Sequence, residues 1–527
     1  MLDSSIVLLP PVIVFLCAIL TRNVIISLAL GIVSASFIAT NYQVMGTITL
    51  AGTRILSEAI DLDHLYTFLF LLLLGIIIQL LTHVGGIAAY TRIIRQYLTD
   101  ARSVETTSLL LSCTFFIDDY LNSLTVGSIM RPLTDRFIIP RAKLAFLLNA
   151  MSPALCVLIP ATSWVAMILM QLQISGVSNT PNSLIFIDPF SVYIQMIPFL
   201  FYPMLIIFSA WLIVRLRLSF GVMNSYEKIA HATANLFGGK KPLTTFGATS
   251  PDEENGSLSD FIIPISTFMI SILISLLYTG NFCGFGGDRS FFLALQNADI
   301  FVSLFIGTVM TLGISIAMFS VQGKLSANHL SSLTLSGINL TKNSLLLLLL
   351  AWTFTSLLKN DLQTGQYLAH LLIGTIPVFL LPLMFFITST IVSASTGSAW
   401  GTIAIMVPLG VPLLVEFTHL ITPGLLSHIA IFLPAVGGII SGSVAGGHFS
   451  PIADSMVLGT TSAQCYHLDA VQAQLTYSLP ALVGALAAFL IAGLLMPISM
   501  WLASIASLIT GLILTTIILL TFNHLKK

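Results

Sequence analysis

Charge is scarce in this chain. Only 8% of its 527 residues are Asp, Glu, Lys or Arg, against roughly 25% in a soluble domain. The net charge of −1 leaves no basic footprint for nucleic acid. The five cysteines are scattered, without a CxxC pair, which excludes a disulfide framework or thiolate metal site as the organising feature. Four of them sit in or beside apolar segments and read as small buried hydrophobes. There is no GxxxxGK[ST] run for nucleotide hydrolysis and no HExxH zinc motif. The chain does not read as an enzyme, and no cofactor is expected. The start, "MLDSSIVLLPPVIVFLCAIL", has an acid and no base before its apolar run, so it reads as a first membrane helix rather than a cleaved signal.

What is present is apolar sequence, 56% of the chain. Runs long enough to cross a hydrocarbon core of ~30 Å recur from end to end. Fourteen hydrophobic segments can be drawn: 5–20, 24–43, 64–84, 107–130, 144–170, 190–215, 259–280, 300–320, 343–358, 366–391, 401–418, 427–446, 478–498 and 502–522. Not all need cross fully, so about 11–14 is the expectation. The fold class is an all-α polytopic membrane protein whose solvent is the lipid bilayer.

The loops bear on topology. Arg92, Arg95 and Arg102 precede segment 107–130, and Arg131, Arg136, Arg141 and Lys143 follow it. A single crossing would put these basic loops on opposite sides, against the positive-inside rule. Segment 107–130 therefore either enters and returns, breaks midway, or crosses with one basic loop on the wrong side. Residues 171–189 carry no Lys or Arg, whereas 215–258 carry Arg215, Arg217, Lys228, Lys240 and Lys241. The region 216–258 and the C-terminus are thus expected in the cytoplasm. The expected organisation is 1–63 N-terminal membrane helices, 64–215 a first repeat, 216–258 a linker, 259–342 connecting helices, 343–500 a second repeat, and 501–527 a last membrane helix and tail.

Polar residues interrupt this apolar background in a few places. Asp118 and Asp119 lie within "FFIDDYLNSLTVGSIMRP", and a bare carboxylate in hydrocarbon costs several kcal/mol or more. "STIVSASTGSAWGT" (389–402), "GGIISGSVAGGHFSPIADS" (437–455) and "LLKNDLQTGQ" (357–366) suggest irregular backbone, tolerated at membrane depth only where protein or a water-filled cavity covers it. The stretches 118–135 and 396–412 share a small-polar start and a Met-x-Pro-Leu end, which fits a duplicated transporter with a discontinuous helix in each half.

One reading is a central ion site. Asp118, Asp119 and Asp454 would supply carboxylates for Na⁺ and for proton coupling, because paired carboxylates retain a proton that an arriving cation displaces. Neutral oxygens and nearby groups would come from Tyr120, Asn122, Ser123, Thr125, Asn149, Ser163, Trp164, Thr364, Thr396, Ser398, Trp400, His448, Ser450 and Ser455, with Asp361 and Lys359 beside them. The other reading makes each acid a helix cap. His448 could titrate near neutral pH or hydrogen-bond within a break. A channel fits two dissimilar halves poorly.

Three stretches carry a family resemblance: 116–164, around "FIDDYLNSLTVGSIMRP"; "LKNDLQTGQYLA" (358–369); and "GGHFSPIADSMVLGTTSAQCYHLDA" within 446–480. Together with the spans between them, they resemble the NhaC-type Na⁺/H⁺ antiporter family of the ion transporter superfamily. The resemblance implies an inverted-repeat secondary transporter in a prokaryotic inner membrane, exchanging Na⁺ for H⁺, with Asp118, Asp119 and Asp454 in its transport core. A homodimer is an expectation by analogy alone. The chain departs from the family pattern at Asn149 and Gly447, where aspartate is common, at Tyr466 and Ala470, and at Lys359, where a small or acidic residue is expected. Lys359 could neutralise Asp361 or face an anion. That keeps open an exchanger of small carboxylates (malate/lactate type) or amino acids.

Overall fold

The computed structural model describes residues 5–21, 23–86, 89, 98–160, 162–179, 183–242, 256–291, 294, 298–364, 367, 377–417, 431–451 and 453–525. Most of "TGQYLA" (364–369) and residues 243–255 of the expected linker lie outside them. In chain order the α-helices are α1 (Leu9–Thr21), α2 (Val24–Ala39), α3 (Val44–Ile60), α4 (Leu62–His83), α5 (Ala101–Thr114), α6 (Asp119–Arg136), α7 (Arg141–Leu158), α8 (Ser163–Ile174), α9 (Pro189–Met196) and α10 (Phe201–Leu216). They continue as α11 (Gly221–Thr233), α12 (Ser259–Thr279), α13 (Ile300–Val321), α14 (Ala327–Ser356), α15 (Leu381–Thr396), α16 (Ala399–Phe417), α17 (Phe432–Phe449), α18 (Asp454–Ala463), α19 (His467–Leu495) and α20 (Met500–His524). Among the described residues there is no extended strand, and ten helices are long and apolar enough to cross a membrane. The protein is an all-α polytopic membrane protein.

The chain divides into two compact units. One comprises Leu56–Leu98 and Thr245–Leu349. In it α13 packs on α12 and α4, around a core of Leu80, Val84, Phe319, Leu325 and Leu333. Here α4 and α14 approach at Gly75 and Gly337, where a Cβ on either would lie 2.7 Å from the other helix's backbone.

The other unit comprises Met1–Ile55, Thr99–Thr244 and Leu350–Lys527. It holds a pattern of half-helices. The segment expected at 107–130 is divided at 115–118 into α5 and α6, and that expected at 144–170 is divided at 159–162 into α7 and α8. The same arrangement returns later: α15 and α16 are divided at 397–398, and α17 and α18 at 450–453. Packing between the two sets is reciprocal, as a pseudo-two-fold relation requires. The second half-helix α6 packs on α18, and α16 packs on α8.

The breaks fall where the local sequence cannot continue a helix, and side chains take up the freed backbone groups. Gly397 turns the chain with φ +70, and the Thr396 and Ser398 hydroxyls accept from Ser398 N–H (3.2 Å) and Gly401 N–H (3.1 Å). Thr162 caps α8 by accepting from Val165 N–H (3.2 Å). Asp100 caps α5, and the Ser103 N–H it accepts (2.9 Å) holds its carboxyl below the usual carboxylate range.

The glycine-rich run 437–449 is not broken, contrary to the expectation of irregular backbone. It is the regular helix α17 as far as Phe449, and the departure begins only at Ser450. Its glycines serve close packing. Gly438, Gly442 and Gly446 recur every fourth residue, and their Cα atoms lie against the carbonyls of Pro382, Phe386 and Thr390 on α15. A Cβ on these three would come within 2.6, 2.4 and 2.4 Å of those oxygens. Small residues at this spacing let two membrane helices pack through their backbones.

Two further features were not legible as structure. Within the expected linker lies α11, and buried charges fasten it. Lys143 Nζ of α7 meets Glu105 of α5 (2.9 Å) and Glu227 of α11 (2.6 Å), and Arg217 meets the other oxygen of Glu105 (2.9 Å). Downstream, Lys240 pairs with Asp469 at the start of α19 (2.6 Å), and Tyr466 donates to Lys241 O (3.0 Å). Residues 217–242 thus strap α5 and α7 to α19.

Replacing Gly442 by Ala should destabilise the protein by about 1–3 kcal/mol, the usual penalty of overpacking, whereas Gly313→Ala, where a Cβ meets nothing within 4 Å, should not. Thermal unfolding midpoints in detergent read the difference. Equal midpoints for the two variants would refute the close-packing role.

Candidate functional site

Four half-helix starts carry the residues of interest, and they lie in two pairs. Asp118 closes the first break. Its Oδ1 accepts Tyr120 N–H (3.0 Å), capping α6, and its Oδ2 accepts the hydroxyl of Ser163 (2.8 Å), the first residue of α8. The cap reading and the site reading for Asp118 are therefore not exclusive, since one oxygen caps while the other reaches the neighbouring half-helix. Asp119, next along, is 4% exposed, and its Oδ1 has no hydrogen-bond partner among the described residues. Its carbonyl accepts from Ser152 Oγ (2.7 Å), which fixes the start of α6 on α7.

Asp454 is the first residue of α18, in the second set. Tyr120 OH donates to its Oδ2 at 3.4 Å, so the start of α6 meets the start of α18. Asp454 is exposed whereas Asp119 is not. The other two starts meet through indoles: Trp164 on α8 and Trp400 on α16 are edge to face, with centroids 6.0 Å apart. The Trp400 indole N–H is buried without a partner among the described residues, while that of Trp164 faces the Asp119 carboxylate. A helix N-terminus presents unpaired N–H groups and the positive end of the helix dipole, so it favours a negative side chain or ligand.

Around these starts is a buried polar layer. Asn122 donates to Ser112 O (2.8 Å), tying α6 to α5, while its own Oδ1 is unpartnered. Ser123, Thr125 and Ser450 are buried, and Ser123 Oγ is unpartnered. Asn149 on α7 is wholly buried, with both amide atoms unpartnered. His448, in the last turn of α17, bonds Tyr202 OH through Nδ1 (2.8 Å) and leaves Nε2 unpartnered. Ser455 is half-buried beside Asp454.

Lys359, Asp361 and Thr364 belong to a different place. They lie in and after a π-turn, Leu357–Asp361, a form frequent at functional positions. Arg54 takes both oxygens of Asp361 in a fork (2.9 and 3.1 Å), Lys359 Nζ donates to Ile174 O (2.8 Å), and Thr364 Oγ1 donates to Val7 O (3.2 Å). Ile174 ends α8, about 17 Å along the helix from Ser163 at 1.5 Å per residue. Lys359 therefore sits at the carbonyl end of a half-helix whose other end is near Asp118.

The three carboxylates Asp118, Asp119 and Asp454 do not close round one point. Among the described residues no group of three or more His, Cys, Asp and Glu side chains is placed to hold a metal ion.

The chain matches the Na⁺/H⁺ antiporter family over residues 155–494. It belongs to that family. This makes it a secondary transporter and not an enzyme. The matched stretch begins after Asp118 and Asp119 and includes Asp454. A protein of Haemophilus influenzae (strain ATCC 51907 / DSM 11121 / KW20 / Rd), described only as "Uncharacterized protein", is 29% identical over 481 residues, covering 89% of this chain and 87% of that one. The crystal structure of the Alcanivorax borkumensis YdaH transporter, described as having an unusual topology, matches with TM-score 0.53 and 14% identity over 86% of this chain and 90% of that one. That likeness is one of fold. The structure of Neisseria gonorrhoeae MtrF, titled as illuminating a class of antimetabolite efflux pumps, matches with TM-score 0.43 at 14% identity over 85% and 84%.

Sequence reasoning missed Ser152 and the buried charges Glu105, Lys143 and Glu227. The usable signal was a charged residue at a helix position flanked by apolar ones, as Lys143 is in "RAKLAFLL".

Because Asp454 is exposed and Asp119 buried, a water-soluble carbodiimide with an amine nucleophile should modify Asp454 first, and Tyr120→Phe should speed that modification. Peptide mass spectrometry reads both. Modification of Asp119 ahead of Asp454 would contradict this geometry.

Proposed function

We propose that the protein exchanges Na⁺ for H⁺ across the cytoplasmic membrane of a prokaryotic cell, with Asp118, Asp119 and Asp454 as the groups that hold proton and cation in turn. The observation that carries this reading is the contact of Tyr120 with Asp454, which brings the carboxylate-bearing starts of α6 and α18 together from the two sets of half-helices. A carboxylate here is tolerable because half-helix N–H groups and hydroxyls face it. Asp119, buried with an unsatisfied oxygen, is the group with most to gain from a proton or a cation. As no three acids gather among the described residues, Na⁺ as cargo would complete its shell with hydroxyl and carbonyl oxygens, which suit a hard cation. Ser163, whose hydroxyl lies on Asp118, is one candidate. Residues 216–258 and the C-terminus face the cytoplasm on this reading, as their basic residues favour.

A second reading is coupled exchange of a small carboxylate or amino acid. It draws on the N–H donors of Trp400 and Asn149, which have no acceptor among the described residues. Lys359 gives it less support than the sequence suggested, because that ammonium is engaged at the end of α8.

Transport by purified protein in liposomes, with Na⁺, Li⁺, K⁺ and organic acids offered separately, decides between the two. Asp118→Asn, Asp119→Asn and Asp454→Asn should each leave membrane-inserted protein near the wild-type level, since a costly buried charge is removed at Asp119 and the amide keeps the shape of the carboxylate at the other two. At least two of the three should lose Na⁺-dependent proton movement. Glu at the same positions should retain part of it with a shifted pH profile. Robust exchange in all three Asn variants would sink the carboxylate mechanism.

A further inference from the structure

Asp454 owes its place to a break that lacks an ordinary cap. Ala453 is the N-cap residue of α18 and offers no side-chain acceptor. Among the described residues before it, Ser450, Pro451 and Ala453 leave the helical path, with Ser450 extended at φ −99, ψ 126. What reaches across to this turn is a side chain from another helix. His467, the first residue of α19, places Nε2 2.5 Å from Pro451 O, and its Nδ1 lies 3.2 Å from Thr460 Oγ1 on α18.

We propose that His467 is the positioning residue for Asp454, acting as a clamp between the break, the body of α18 and the long helix α19. The proton assignment follows from chemistry. A carbonyl only accepts, so Nε2 carries the hydrogen. In the neutral ring Nδ1 then accepts from the Thr460 hydroxyl. In the charged ring Nδ1 donates to Thr460 Oγ1, and that hydroxyl turns to Val457 O, which lies 2.9 Å away. The Pro451 bond survives in either charge state, because the threonine hydroxyl has an acceptor to turn to each way. Such a clamp holds Asp454 against Tyr120, and the Thr460 hydroxyl has a partner in either ring form.

The importance of Asp454 in transport rests on the function proposed above, so the test is built to separate the two. Hydrogen exchange of the peptide spanning 449–457, measured on full-length protein in detergent, reads the clamp without any substrate. His467→Ala should speed that exchange about fivefold, the effect of losing one hydrogen bond. His467→Gln, whose amide N–H can still reach Pro451 O, should restore it. In liposomes His467→Ala should raise the half-saturating Na⁺ concentration more than it lowers the maximal rate, and Gln should recover it. Unchanged exchange in His467→Ala overturns the clamp, and faster exchange with an unchanged half-saturating concentration overturns the positioning role. If the wild type moves no Na⁺, the functional reading fails, and the carbodiimide reactivity of Asp454 takes the place of transport. Equal reactivity in wild type and His467→Ala would then overturn the proposal. Should the Ala variant not fold, His467→Asn, which keeps the Thr460 contact but falls short of Pro451, gives the same comparison.

Discussion

Everything in the larger unit turns on one constraint: backbone and carboxylate groups at membrane depth must find partners inside the protein. Four half-helix breaks violate helical self-sufficiency, and each is closed by side chains of the break itself or of a neighbour. Asp118 serves two of them at once, capping α6 through Tyr120 N–H and holding Ser163 at the start of α8. Hydroxyls and a glycine close the break between α15 and α16. The break before α18 is held by a histidine from α19. These closures explain why so much polar chemistry concentrates in so apolar a chain.

That mutual dependence has a functional consequence. The starts of α6 and α18 touch, as do those of α8 and α16, so a change of charge at one carboxylate is felt by both sets of half-helices. The surrounding scaffold is tight in one place and ionic in another. Backbone-to-backbone packing of α17 on α15 leaves no room for sliding. By contrast, residues 217–242 bind α5, α7 and α19 through ion pairs. Breaking a buried pair by removing one partner typically costs about 3–5 kcal/mol, but exchanging partners costs far less. Motion that carries ions across the membrane would more easily reorganise the ionic strap than the glycine seam.

The membrane class, the family and the acids at half-helix starts were legible in the sequence, because hydropathy and an isolated Asp-Asp pair are strong signals in a chain so poor in charge. The contact of Asp454 with Tyr120 was foreshadowed only by weak likeness between the two halves. The glycine run misled, since glycine suits both a break and a close helix crossing, and only the facing carbonyls of α15 distinguish them. Lys359 looked like a substrate residue because its partner, a carbonyl in the loop-ward end of α8, lies 185 positions away in sequence. Glu105 went unremarked and Lys143 read as a loop base for the same reason: buried charges declare themselves through partners that only the fold supplies.

Proton release on cation binding tests the account most directly. Adding Na⁺ to purified protein in weakly buffered detergent solution should liberate protons, detected by an indicator dye, and Na⁺ affinity should fall about tenfold per pH unit once a site carboxyl is protonated. The release should vanish when Asp118, Asp119 and Asp454 are all replaced by Asn. Na⁺ binding of undiminished strength without proton release, or release that persists in the triple variant, would contradict a mechanism in which these carboxylates hold proton and cation in turn.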